Sequence, residues 1–219
     1  MKKERRNVSI AVKLIGMSVL PVVILGIILT IYGQSNLKKS LKKEIYEGLK
    51  SAALAVQGAY DAAGNGDFIM LESGNVIKGT FVVSGNYSLA DQLSSGSGID
   101  VSLYYGNRIV VKSLMDQDNS RMTEGTVSSE VENTVLNQGK EYFAEDVELG
   151  AEHYYGYYMP IVNEKGSTYG MIFTGKKSAN VNAQIASDAF KMSLISVAVI
   201  AAALILTAVM AVSIARALK

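Results

Sequence analysis

Two uncharged stretches bracket a segment in which apolar residues recur at steps of two or of three to four. Leu14 to Tyr32 runs nineteen residues without a charge, and Met192 to Ala215 runs twenty-four. At about 1.5 Å per helical residue, each approaches or exceeds the roughly 30 Å thickness of a bilayer's hydrocarbon layer, and two transmembrane helices are predicted. Pro21 lies inside the first span, where neighbouring helices can satisfy the carbonyl it frees. Between the spans, Leu37, Leu41, Ile45, Leu49, Ala52, Val56 and Tyr60 recur at helical spacing while Lys38, Lys39, Lys42, Lys43, Glu44 and Glu47 fill the other side. That pattern predicts an amphipathic helix over Ser35–Tyr60, with one face on a sheet.

Beyond the turn-forming run Ala62–Asp67, the pattern shifts toward strands. Phe68 to Gly98 is rich in Gly and Ser, with a strand-like piece at Thr80–Val83 and a helical turn expected at Leu89–Leu93. Ile99–Tyr105 and Arg108–Leu114 form a predicted hairpin closed by Gly106-Asn107. Ile99, Val101, Leu103 and Tyr105 share one face of its first strand and are expected on the long helix; Asp100, Ser102 and Tyr104 share the other. Ser128–Gln138 reads as a helix with Val131, Val135 and Leu136 inward, ended by Gly139. Glu141–Leu149 is a strand. His153–Lys176 is a second hairpin, turned at Asn163-Glu164-Lys165-Gly166. Helical spacing resumes at Ser178 and runs into the second span, where Ala198/Ala202 and Thr207/Ala211 are small-residue pairs that permit close helix packing. The fold class is α+β: an antiparallel sheet of about five strands under a long N-terminal helix.

Charge orients this arrangement. Lys2, Lys3, Arg5, Arg6 and Lys13 precede the first span, and Arg216 and Lys219 follow the second. The positive-inside rule then puts both termini in the cytoplasm and the middle outside. The predicted organisation is 1–13 as a cytoplasmic basic N-terminus, 14–32 and 192–215 as spans, 33–191 as the extracytoplasmic domain, and 216–219 as the start of a cytoplasmic linker. A cleaved signal peptide is disfavoured because no small-x-small site follows in GQSNLKKS. The Arg5-Arg6 pair lacks the rest of a twin-arginine signal.

Composition narrows the chemistry. The chain has no Cys and one His, so disulfides, thiolate metal sites and Cys nucleophiles are excluded. A net charge of +1 gives no basis for nucleic-acid binding. Gly166–Gly170 places Thr168 where a nucleophile elbow needs Ser. Asp116–Arg121 imitates a calcium loop, but Arg121 stands where Gly is needed and Val127 where Glu is needed. Neither an enzyme, a metal nor a cofactor is expected.

The runs GIDVSLYYGNRIVV, SRMTEGTVSSEVENTVLNQGKEYF and YYGYYMPIVNEKGSTYGMIFTGK resemble, in that order, a single Cache domain, the extracytoplasmic sensor of bacterial methyl-accepting chemotaxis proteins. The resemblance implies a PAS-like fold between two transmembrane helices, a homodimer, and a small-molecule ligand. It also implies a HAMP-like linker beginning at Arg216. A chemotaxis kinase and adaptor would be partners only if a signalling domain followed, and the chain stops at Lys219. A sensor of a histidine kinase or cyclase, or a membrane-anchored binding or scaffold protein, carries the same front end. A half-buried sheet face with Tyr hydroxyls and a few cations suits a small organic acid or related anion. Strand position, with the family's pocket on the sheet face distal to the long helix, selects Tyr104, Lys112, Arg121, His153, Tyr155 and Tyr157 as candidate ligand contacts.

Overall fold

The computed structural model describes residues 10–115, 120–121 and 126–217. The calcium-like run Asp116–Arg121 falls largely outside them, as does the basic N-terminus up to Ser9. The chain divides into two compact units. One comprises Met1–Leu41 and Gln184–Lys219, the other Lys42–Ala183. Helices α1 (Ile10–Ala63) and α4 (Ser178–Ala217) each contribute to both.

The first unit is apolar on its outside. Ile24, Leu25, Ile28 and Leu29 of α1 and Leu194, Ile195, Ile205 and Leu206 of α4 are exposed, the inverse of a water-soluble core. Both helices are long and apolar enough to cross a membrane. Hydroxyls in this unit bond back to the carbonyl one turn earlier, Thr30 to Gly26, Ser196 to Met192 and Thr207 to Ala203. Each is satisfied without water. Gln34 Nε2 donates to Ser193 Oγ at 2.7 Å, and Gly26 faces Ile200 with no room for a Cβ between them. Ala211 is buried, whereas Ala198 and Ala202 are exposed. Within this chain the Ala198/Ala202 pair is therefore not covered by a packed helix.

The second unit is built on a five-stranded antiparallel sheet of order β5-β4-β8-β7-β6. Its strands are β4 (Asp100–Tyr105), β5 (Arg108–Lys112), β6 (Tyr142–Leu149), β7 (Glu152–Val162) and β8 (Thr168–Lys177). Leu49, Ala53, Val56 and Tyr60 of α1 are at most 1% exposed, and burial of each large apolar side chain stabilises by about 1.5–3 kcal/mol. Thr174 of β8 donates its hydroxyl to the Leu49 carbonyl at 2.8 Å and so marks the sheet face that α1 covers. Register then assigns Val101, Leu103, Tyr157, Ile172 and Thr174 to that face, as the alternation in β4 predicts.

The opposite face holds Tyr104, Tyr154, Tyr158, Met171 and Phe173, packed with Leu114, Val131 and Val135 in one cluster. Here Gly156 and Gly175 stand opposite each other in register. A Cβ on Gly175 would come within 2.5 Å of the Phe173 ring, and one on Gly156 within 2.7 Å. Two glycines are needed so that one aromatic ring can lie across the strands.

The region 68–98 is more ordered than its Gly/Ser content predicts. Strands β1 (Phe68–Met70), β2 (Val76–Lys78) and β3 (Phe81–Val82) make a small antiparallel sheet, and α2 (Ser88–Ser97) extends well past the expected single turn. The helix expected at Ser128–Gln138 is also corrected. Only Ser129–Val131 (α3) is α-helical, and Glu132–Asn137 continues as a π-helix. Val131 and Val135 still point inward, because one residue's difference per turn barely moves them off the sheet over so short a run.

Candidate functional site

The six candidate residues do not converge. Tyr155 and Tyr157, expected on the face distal to α1, lie on the face that α1 covers. Tyr157 donates to Glu141 Oε2 at 2.6 Å and meets the Tyr46 ring edge-on at 5.7 Å. Tyr155 stacks on Phe143 and donates to Asn182 Oδ1 at 3.2 Å. β7 carries Tyr at both parities, and the strand's phase relative to α1 is set by its pairing with β8, which local pattern does not encode. His153 is exposed near the turn between β6 and β7, with Nδ1 2.6 Å from Asp146 Oδ1. That carboxylate raises its pKa above the ordinary value. Arg121 grips Asp91 of α2 through both terminal guanidinium nitrogens, at 2.9 and 2.7 Å, and donates to the Lys112 carbonyl at 2.5 Å. Its guanidinium also lies 4.1 Å from the centre of the Tyr87 ring. Arg121 ties α2 to the end of β5, with its fork already occupied.

Tyr104 and Lys112 do share the distal face, and they mark its polar corner. Lys112 is 3% exposed and lies directly opposite Ser102 in the β4–β5 ladder. Burial lowers the pKa of its ammonium, with Asp100 acting in the other direction. Ser102 is wholly buried, and its Oγ makes no hydrogen bond of good geometry among the described residues, the Tyr104 hydroxyl being its polar neighbour. Asp100 accepts from Ser94 at 3.2 Å and Ser113 at 3.4 Å. Burial pushes Tyr104 up to about 12, with the Ser102 hydroxyl acting in the other direction. The Tyr154 hydroxyl is driven higher still by burial and by Asp100. A buried ammonium and an unsatisfied hydroxyl on adjacent strands are costly alone and are relieved by an anion that accepts from both. Ser102, Asp100 and Tyr154 were missed as site residues. Alternation puts Ser102 and Asp100 on this face, but nothing in sequence marks a hydroxyl as partnerless.

Residues 81–188 match the family model of single Cache domain 3. The matched segment takes in the whole five-stranded antiparallel sheet, and the fold is α+β with its long helix at the N-terminal side. Among solved structures, the chain is similar to the sensor domain of DcuS from E. coli. Identity is 12%, 68% of this chain and 97% of that chain are covered, and the TM-score is 0.40. No curated protein matches the chain.

Proposed function

We propose that the protein is a two-pass membrane receptor that binds a small organic anion on the Lys112 face of its Cache domain and passes the event into α4. The observation that carries this reading is the pair of Lys112, an almost fully buried cation, and Ser102, a buried hydroxyl with no well-formed hydrogen bond among the described residues, directly across one ladder. Cache domains of this type serve as sensors, and two apolar helices flank this one. Lys and Arg outside both apolar stretches support cytoplasmic termini and an extracytoplasmic domain over 33–191.

Strand β8 ends at Lys177 and α4 begins at Ser178 with no intervening loop. A shift of β8 on ligand binding is thus delivered to the start of that helix, and packed helices answer by movements of about 1–2 Å. The ligand moves the equilibrium only by its difference in affinity between the two arrangements. The unpartnered apolar exterior and the family resemblance support a homodimer, with spans from two chains side by side. Chemotaxis is the preferred output, acting through a kinase and adaptor; a histidine kinase or cyclase output uses the same front end.

The double variant Gln34→Cys with Ser193→Cys reports on this motion, because those two side chains already touch at 2.7 Å. In the full chain, a bound carboxylate is expected to change the rate of disulfide cross-linking between the two positions severalfold. An unchanged rate in the presence of a proven binder at saturation contradicts receptor action and leaves a membrane-anchored binding protein.

A further inference from the structure

Toward the β6 edge of the sheet, the edge opposite β5 and Lys112, a groove of about 560 Å³ opens where the β6–β7 turn meets the start of α4. Its volume is in the range of small-molecule pockets. Three carboxylates line it, Glu145, Asp146 and Glu152, against the single imidazole of His153. Each carboxylate has a cationic neighbour that uses one oxygen: Lys42 on Glu145 Oε2, His153 on Asp146 Oδ1, and Lys177 on Glu152 Oε1 at 3.2 Å. The second oxygen of each remains an acceptor.

The floor supplies an independent sign of a missing occupant. Ser178, 8% exposed, lines the groove and its Oγ has no hydrogen-bond partner among the described residues. A neighbouring hydroxyl is differently placed, since Tyr155 spends its proton on Asn182 Oδ1. The buried hydroxyls of Thr174 and Ser113, by contrast, donate to the Leu49 carbonyl and to Asp100. Ser178 therefore lines the groove with a buried hydroxyl whose donor and acceptor are unused among the described residues. An orphaned polar atom of this kind is normally satisfied by a bound group.

We propose that this groove is a second small-molecule site, taking a small organic cation with a primary ammonium group. The ammonium has three donors and no acceptor, which complements a carboxylate-rich wall and the lone pairs of Ser178. Lys42, His153 and Lys177 each take only one oxygen of their partner, so what the groove offers an incoming ligand is acceptors, which an anion cannot use. A divalent metal is disfavoured by geometry, because no three His, Asp or Glu side chains among the described residues converge on one point. Being at the opposite edge of the sheet and sharing no lining residue with the Lys112 corner, the site does not rest on the anion reading of Lys112. A ligand here touches both the β6–β7 turn and the first turn of α4, the junction through which that reading sends its signal.

Calorimetric titration of the full chain in lipid nanodiscs, with ethanolamine and putrescine as probes and sodium acetate and magnesium chloride as controls, tests the proposal. Saturable binding of either amine is expected. Glu152→Gln, on an exposed side chain that leaves the core untouched, is expected to weaken it about tenfold, as is Ser178→Ala, while Lys112→Met leaves it unchanged. Absence of amine binding at millimolar concentration overturns the proposal. So does amine binding indifferent to both Glu152→Gln and Ser178→Ala, or acetate or magnesium binding that those two variants abolish.

Discussion

Thr174 and Leu49 join the sheet to α1 by a hydrogen bond from which water is excluded: the hydroxyl donates to the helix carbonyl at 2.8 Å, and both residues are at most 1% exposed. β8 is the central strand, and its next residues lead into α4. The bond therefore couples the element that α1 presents to the strand that leaves the domain. Thr174→Val keeps the shape and removes the donor. A loss of about 1–2 kcal/mol follows, seen as a melting temperature lower by about 3–6 °C for a domain of this size.

Glu141 makes a second clasp to α1. It accepts from Tyr46 at 2.6 Å, from Lys50 at 2.7 Å and from Tyr157 at 2.6 Å. Lys50 first, then Tyr157 and Tyr46, hold its carboxyl down at about 2, below the ordinary 4.5. A depressed carboxylate contributes stability that is complete above its unfolded pKa and is lost as pH falls through the folded value. The acid arm of the stability curve should thus carry a component between pH 4.5 and about 2 that is absent from Glu141→Gln. The side chain is 43% exposed, and solvent screening keeps that component small. Near-ultraviolet circular dichroism during acid titration checks it.

Gly175→Ala puts a methyl group where the Phe173 ring lies, within 2.5 Å. Overpacking of a fully buried ring costs about 1–3 kcal/mol. The double change Gly175→Ala with Phe173→Leu should recover part of that loss. Melting curves of the two variants give the comparison.

His153 is the only imidazole in the sequence and is readily followed by NMR. Its pKa is raised, chiefly by its hydrogen bond to Asp146. Asp146→Asn should bring the midpoint down toward that of an unperturbed imidazole. An unchanged midpoint would mean that the 2.6 Å contact does not form in solution.

Much of this was legible in the sequence, for reasons that particular residues make clear. Val101, Leu103 and Tyr105 alternate with polar neighbours, so the α1 face of β4 follows from period two alone. The helical phase of Leu49, Val56 and Tyr60 likewise marks the contact face of α1. β7 is different: Tyr154, Tyr155, Tyr157 and Tyr158 put aromatic residues on both sides, and its phase comes from long-range pairing with β8. The π-helical run at Glu132–Asn137 was hidden because Val131 and Val135 satisfy either period. Of the candidate contacts, Tyr104 lies on the expected face because β4 alternates, and Lys112 joins it through its pairing with Ser102. Arg121 is drawn away by Asp91 and Tyr87, partners that no local pattern shows. That the hydroxyls of Ser102 and Ser178 make no well-formed hydrogen bond among the described residues is a property of packing alone.

The central claim is that a small anion binds at the Lys112 corner. Calorimetry of the full chain in nanodiscs against a panel of mono- and dicarboxylates and amino acids tests it most directly, repeated with Lys112→Met and Tyr157→Phe. A carboxylate is expected to bind with an affinity that falls at least about tenfold in Lys112→Met, as loss of a charge-assisted hydrogen bond implies. Tyr157→Phe, on the opposite face of the sheet, should leave binding unaltered. A carboxylate whose affinity survives Lys112→Met but collapses in Tyr157→Phe would put the ligand on the α1 face and contradict the account.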